Sequence, residues 1–146
     1  MAYVSLDSEQ IKKANKKHKY TKDQVLELEK CMDKKSGPLY FMKKFMKIQH
    51  PTKGEMPFEP FPYQERLIEA YNSHRFSISM LPRQTGKTTC ASGYLIWYAM
   101  FHPDSQILIA AHKYAGASDI MSRVRYAYEM LPSWIKAGVT QYNRNS

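Results

Sequence analysis

The sequence predicts an α/β fold built on the start of a parallel sheet flanked by helices, and three observations predict it. Arg75 to Leu81 (RFSISML) alternates apolar Phe76, Ile78 and Met80 with Ser77 and Ser79, the period of a half-buried strand. Thr88 to Phe101 (TTCASGYLIWYAMF) is long and apolar enough for a helix packed on a sheet, and His102-Pro103 closes it. Gln106 to Ala111 (QILIAA) is a continuous apolar run after a Pro-Asp turn, as expected of a strand buried on both faces. Tyr114 to Met130 then places Ala117, Ile120, Met121, Val124 and Tyr128 at helical spacing. Strand, helix, strand, helix in that order is the unit from which parallel sheets are built.

The segments before this unit read as an appendage. Ile11 to Tyr20 (IKKANKKHKY) is a lysine cluster with too little apolar content to fold alone, so residues 1–20 are expected to form a basic mobile or lightly docked arm. Thr21 and Gln24 spell a capping box, and Val25, Leu28 and Met32 follow at helical spacing as far as Ser36-Gly37-Pro38. Pro38 suits the first turn of a second helix with Leu39, Met42, Phe45 and Met46 on one apolar face, which makes 21–50 a helical appendage. His50 to Pro62 holds four prolines and a glycine, so 51–62 reads as a Pro-rich linker. From there, 63–146 is expected to be one α/β domain, opening on a short helix at Tyr63 to Tyr71 with Leu67, Ile68 and Tyr71 on its buried side.

Composition excludes some classes. With 43% hydrophobic and 13% aromatic residues the chain is not a disordered one. Its longest apolar runs fall well short of the roughly 20 residues a membrane span needs, so no membrane role is expected. Cys31 and Cys90 lie far apart and match no metal spacing, and both read as reduced thiols. The net charge of +9 is uneven: residues 1–50 hold 12 Lys/Arg against 6 Asp/Glu, and 51–146 hold 10 against 7. Such a basic arm fits a polyanion such as DNA or RNA, although lysine-rich helices are also common as plain solvated faces.

Between the first strand-like run and the long helix lies Leu81 to Thr89, LPRQTGKTT. A Gly-Lys-Thr step at a strand-to-helix junction is where a phosphate-binding loop sits. The turn delivers backbone N–H groups, and the N-terminus of the next helix, to phosphate oxygens. On that reading the amides around Gln84, Thr85, Gly86, Lys87, Thr88 and Thr89 hold the ATP tail, Lys87 reaches the β- and γ-phosphates, and the Thr88 hydroxyl ligates Mg²⁺. The full pattern GxxxxGK[ST] wants glycine where this chain has Leu81. Arg83 is close enough to stabilise charge on the transferring phosphoryl group as a catalytic arginine supplied in cis; a surface ion pair is the competing role. About twenty residues upstream, Phe61-Pro62-Tyr63-Gln64 offers an aromatic ring to stack on adenine and an amide, both donor and acceptor, for its edge. Hydrolysis also needs a carboxylate at the end of a strand. Beyond residue 103 the acids are Asp104, Asp119 and Glu129, and none follows an apolar strand. The sequence therefore reads as the N-terminal part of a larger P-loop NTPase, ending before its acidic motif, and ATP turnover by these residues alone is expected to be negligible.

At this point the residues resemble a known family, the large terminase subunits of tailed bacteriophages, particularly the T-even-like myoviruses. The stretch PYQERLIEAYNSHRFSISMLPRQTGKTT looks like that family's adenine-binding glutamine, first strand and deviant phosphate loop. The family, too, lacks the first glycine and places Arg-Gln before its GKTT. Ile109 to Lys113 (IAAHK) resembles the segment after the second strand, YAYEMLPSWI at Tyr126 to Ile135 the helix ending in a Leu-Pro step, and IKKANKKHKYTKDQVLELEKCM the helical lead-in. The resemblance implies that Gln64 contacts adenine, Arg83 is the cis arginine, and Lys87 with Thr88 holds phosphates and Mg²⁺. It implies a motor that drives double-stranded DNA into a capsid, with portal protein and small terminase subunit as partners, acting in the host cell cytoplasm. The coupling motif and nuclease domain of such motors are not among these residues.

Two competitors remain. A superfamily 2 helicase also places a glutamine upstream of its loop, but brings helicase boxes downstream where a terminase brings a nuclease. A non-catalytic basic nucleic-acid-binding protein would carry Gly86 to Thr88 by accident. If residues 12–47 contact duplex DNA, the contacts go to phosphates, each releasing counterions and steepening the log–log salt slope by about 0.9. Fluorescence anisotropy is expected to show affinity collapsing between roughly 50 and 200 mM salt; binding that persisted at half-molar salt would exclude phosphate contacts as its source.

Overall fold

The computed structural model describes residues 11–15, 17–50, 52 and 54–141. It is a mixed helix and strand fold, with helices α1 (Lys22–Met32), α2 (Gly37–Phe45), α3 (Pro62–Ser73), α4 (Lys87–Phe101) and α5 (Tyr114–Glu129) and a hairpin of β1 (Lys47–His50) and β2 (Gly54–Pro57).

Helix α1 starts as its sequence spells: Thr21 Oγ1 accepts the Gln24 N–H at 3.3 Å and Gln24 Oε1 accepts the Thr21 N–H at 3.0 Å. Its inward face differs from the expected one. Val25 and Met32 are exposed, and Cys31 is the fully buried residue, with Leu28 packed beside it. The chain then turns on Asp33, whose carboxylate accepts the N–H groups of Lys35 (3.0 Å) and Ser36 (2.6 Å) and the Ser36 hydroxyl (2.7 Å). These bonds, the Ser36 N–H foremost, hold the carboxyl below its ordinary pKa. Gly37 opens α2 against the end of α1, where a Cβ would lie 2.4 Å from the Cys31 carbonyl oxygen. Helix α2 turns Phe41, Met42 and Phe45 inward, and the core continues through Met46 into the hairpin and on to Phe58.

The hairpin's first strand lies at the end of the expected helical appendage and its second in the expected linker. Lys47 pairs with Pro57, Ile48 with Met56, Gln49 with Glu55 and His50 with Gly54, antiparallel. The prolines were read as breaking regular structure, but Pro57 sits at the end of its strand, a position an edge strand tolerates. Lys47 and Glu55 form an ion pair across the ladder.

Helix α4 is the centre of the molecule. It packs on α2, α3 and α5, and Cys90, Ser92, Gly93, Ile96 and Trp97 are buried. Trp97, 2% exposed, donates its indole N–H to the Cys31 carbonyl at 2.8 Å, fastening α4 to the end of α1. Burial pushes the thiols of Cys31 and Cys90 up to about 12 and about 11, so both are protonated at neutral pH. The parallel sheet expected from 75–81 and 106–111 is not formed among the described residues, where the one sheet is the β1–β2 hairpin. Both runs lack a ladder partner. Phe76, Ile78 and Met80 are 82%, 96% and 92% exposed, and Leu108 is 92% exposed. The reason is elementary: a strand is defined by its neighbour, and α4 and α5 pack on each other without a further strand to pair these two runs.

Residues 1–10 and Lys16 lie outside the described residues, but residues 11–15 of the lysine arm are docked. Val139 N–H donates to the Lys12 carbonyl (2.8 Å) and Ala14 N–H to the Val139 carbonyl (3.1 Å), a parallel bridge that ties the arm to the segment after α5. The two tightest helical glycines give a test. Gly37→Ala drives a methyl into backbone and is expected to cost about 1–3 kcal/mol. Gly93→Ala meets only the thioether ends of Met42 and Met46 and should cost less. Urea denaturation of the two variants checks the order.

Candidate functional site

The site is built where α3 begins and α4 begins, joined by one backbone carbonyl. Pro62 stands in the first turn of α3, where it needs no N–H partner, and places Tyr63 and Gln64 on the turn facing the 81–89 loop. Tyr63 donates its hydroxyl to the Thr85 carbonyl at 3.0 Å, and Gln64 donates its Nε2 to the same oxygen at 2.9 Å. Two donors use both lone pairs of that oxygen. The other end of the Gln64 amide closes the start of its own helix, its Oε1 accepting the Phe61 N–H at 2.9 Å. Gln64 is 7% exposed, so these bonds are made largely out of water, where an unpaired amide would cost about 1–3 kcal/mol. Phe61 stacks parallel to Tyr63, with centroids 5.8 Å apart and planes 7° from coplanar, and stays 61% exposed.

The loop bends sharply. Gln84 has φ 63° and Gly86 φ 75°, both in the left-handed region. Gly86 is required twice over. L side chains disfavour that φ, and a Cβ would stand 2.5 Å from Gln64 Nε2. Gly86 is also the N-cap of α4, with no side chain capping the helix. Lys87 is the first helical residue; its ammonium donates back to the carbonyls of Leu81 (3.5 Å) and Pro82 (3.3 Å), closing the loop on itself. The Thr85 hydroxyl donates to the Pro82 carbonyl at 3.0 Å.

The structure thus brings Tyr63, Gln64, Thr85, Gly86 and Lys87 into one cluster. Arg83 and Gln84 are exposed on the outside of the bend, and Thr88 and Thr89 follow Lys87 in the first turn of α4, both half-buried. What sequence reasoning missed is the shared Thr85 acceptor. A backbone carbonyl leaves no mark in a motif, and the signal was indirect: a hydroxyl and an amide side by side at a helix start, facing a loop. Among the described residues no group of three or more His, Cys, Asp or Glu could hold a metal ion, and no helix is long and apolar enough to cross a membrane.

These features define a mixed helix and strand chain in which a left-handed glycine turn, latched to a neighbouring helix, opens a buried helix on a Lys-Thr step. Residues 78–146 match the family model described as terminase large subunit, T4-like-virus type, N-terminal. The match begins inside the first strand-like run and takes in the whole glycine turn, α4 and α5. Large terminase subunits are generally ATPases and nucleases, and the match supports a role in phage DNA packaging.

A double-mutant cycle separates the two demands on Gly86. Gly86→Ala is expected to lose about 1–3 kcal/mol of stability from left-handed strain and the Gln64 clash together. In a Gln64→Ala background the same change keeps only the strain and costs less. Equal costs in both backgrounds, read from urea midpoints, would show that Gln64 does not press on Gly86 in solution.

Proposed function

We infer that residues 81–89 form the phosphate-binding loop of an ATPase, and that the chain is the ATP-binding N-terminal part of a motor that packages viral double-stranded DNA. The observation that carries this reading is the placement of left-handed Gly86 directly before the uncapped first turn of α4, with Lys87 and Thr88 opening the helix. The first N–H groups of a helix have no partner within it, and together with the positive end of the helix dipole they favour an anion. Gln84 and Gly86 hold a conformation that is costly for the one and permitted for the other, and such strain concentrates where backbone must be aimed at a ligand.

In this reading each side chain has a task. Lys87, resting on the loop's own carbonyls, swings to the β- and γ-phosphates when they arrive. Thr88 would hold Mg²⁺ through its hydroxyl, the ion supplying positive charge against the phosphates, and exposed Arg83 would neutralise charge on the transferring group. Gln64 keeps one amide hydrogen and one lone pair beyond its bonds to Thr85 and Phe61, which is the donor–acceptor pair the N7/N6 edge of adenine takes. It therefore reads the base without releasing the loop, and the Tyr63 and Phe61 rings offer the stacking face. The runs 75–81 and 106–111 serve as strands of the parallel sheet, whose neighbours cover Phe76, Ile78, Met80 and Leu108. Duplex DNA, the portal protein and the small terminase subunit are the partners, and the host cell cytoplasm the setting, all as the family implies.

Thermal denaturation with Mg²⁺-ATP tests the reading. A ligand at 100 times its dissociation constant adds about 2.7 kcal/mol, a clear upward shift in Tm. Lys87→Ala is expected to abolish the shift and Thr88→Ala to remove its dependence on Mg²⁺. A shift unchanged in Lys87→Ala would leave the basic nucleic-acid-binding reading in its place.

A further inference from the structure

A cavity of about 530 Å³ lies between β1, the first two turns of α4 and α5, and meets the loop only at its last residue, Thr89. That is within the range of small-molecule sites. Its walls carry the side chains of Thr89 and Ser92 from α4, three residues apart and so on one helix face, and Ser122 from α5. Gln49 of β1 contributes to the wall opposite.

Ser92 is the telling residue. Helical serines commonly satisfy their hydroxyl on the carbonyl four residues back, and here Ser73 does so on Glu69 (2.6 Å) and Ser122 on Ser118 (2.9 Å). Ser92 does not: it is 1% exposed and its Oγ has no hydrogen-bond partner among the described residues. A buried hydroxyl without a partner is a standing cost to the fold. It forms part of the cavity wall.

The chemistry of the rim decides the class of ligand. Lys47 is paired with Glu55 across the hairpin, and Arg123 Nε with Asp119 Oδ2 at 3.2 Å. With each of these cations answered by a carboxylate, the cavity offers no net charge to a phosphate or a metal ion. Its interior offers hydroxyls, an amide, the Tyr126 ring and the apolar side chains of Met46 and Ile48. The Tyr126 ring and apolar side chains suit an aromatic ring, an amide suits its polar edge, and hydroxyls suit a sugar. We propose that this cavity is a binding site for a neutral nucleoside-like molecule, on the far side of Thr89 from the phosphate-binding turn and anchored on Ser92.

The test uses the 146-residue chain with adenosine, guanosine, cytidine and thymidine as probes, followed by saturation-transfer NMR and calorimetric titration. At least one nucleoside is expected to bind saturably and one to one, with affinity unchanged by Lys87→Ala and undiminished by excess ATP. Ser92→Ala is expected to fold as well as the parent, having lost only an unpartnered hydroxyl, and to bind about tenfold more weakly, one hydrogen bond's worth. Should Ser92→Ala fail to fold, Ser122→Ala on the cavity wall takes its place with the same expected weakening. The proposal is overturned if none of the four saturates, if the serine variant that folds binds like the parent, or if ATP and Lys87→Ala both abolish binding, which would put the nucleoside in the loop.

Discussion

Helix α4 has to be buried on nearly every side, and the arrangement of the other elements follows from that demand. Its sequence is apolar around most of its circumference, so no single partner can cover it. Helices α2, α3 and α5 share the work. The most specific of these contacts is also the most distant in sequence, the bond from the Trp97 indole to the Cys31 carbonyl at the end of α1. It answers two needs at once. A large ring fills the centre of the core, and its one polar atom satisfies a carbonyl that α1 leaves without a helical partner. Phe101, Tyr94, Tyr98 and His102 pack around the same ring. Fixing α4 in this way fixes where its N-terminus points, and that terminus is the centre of the candidate loop.

The loop itself is held by a different kind of force. Thr85 and Gly86 contribute no packing of note; they are placed by the two hydrogen bonds to the Thr85 carbonyl and by the fit of Gly86 under Gln64. Hydrophobic burial orients the helix, while polar contacts of defined length shape the turn that enters it. This division suits a turn meant for a ligand. Apolar packing tolerates small shifts, but backbone donors aimed at phosphate oxygens work only within a few tenths of an ångström.

The helices were legible in the sequence because their signals are local. The Thr21 capping box, Pro38 at a first turn and Gly86 before Lys87 each state a backbone geometry in one or two residues. The inward faces were only partly legible. Val25 and Met32 fit the period of α1 but look outward, because α2 meets the helix along Glu27, Leu28 and Cys31, where Tyr40 bonds Glu27 and Gly37 lies against Cys31. The hairpin was hidden by its prolines and by its brevity, four residues a strand. The apolar runs at 75–81 and 106–111 have the composition of strands, yet a strand needs hydrogen-bonding neighbours that composition alone cannot supply. For the candidate site, residue types were readable and contacts were not. Gln64 stood out as an amide near a loop, whereas its double use, on Phe61 and on Thr85, emerged only in three dimensions.

On the proposed reading, the asymmetry of the loop's two ends bears on how well it would hold a nucleotide. Its exit is anchored deeply, with Cys90 fully buried one turn into α4. Its entry is the run 75–81, whose alternate residues are almost fully exposed and where Leu81 is the first to touch the core. Between the two, Thr85 is tied to α3, so the latch secures the half of the loop nearer the helix and leaves the half nearer Arg83 held by the Lys87 and Thr85 contacts to Leu81 and Pro82. Those are contacts of the loop with itself, and phosphates that recruit Lys87 would break its share of them. Ordering the entry side then becomes part of the binding free energy, and a loop with one rigid end binds more weakly than one clamped at both. Pairing 75–81 with neighbouring strands would remove that cost, because it would bury Phe76, Ile78 and Met80 and fix Arg83 with the same set of contacts. The apolar alternation that reads as a strand in the sequence is thus also the feature that would set the affinity of the site.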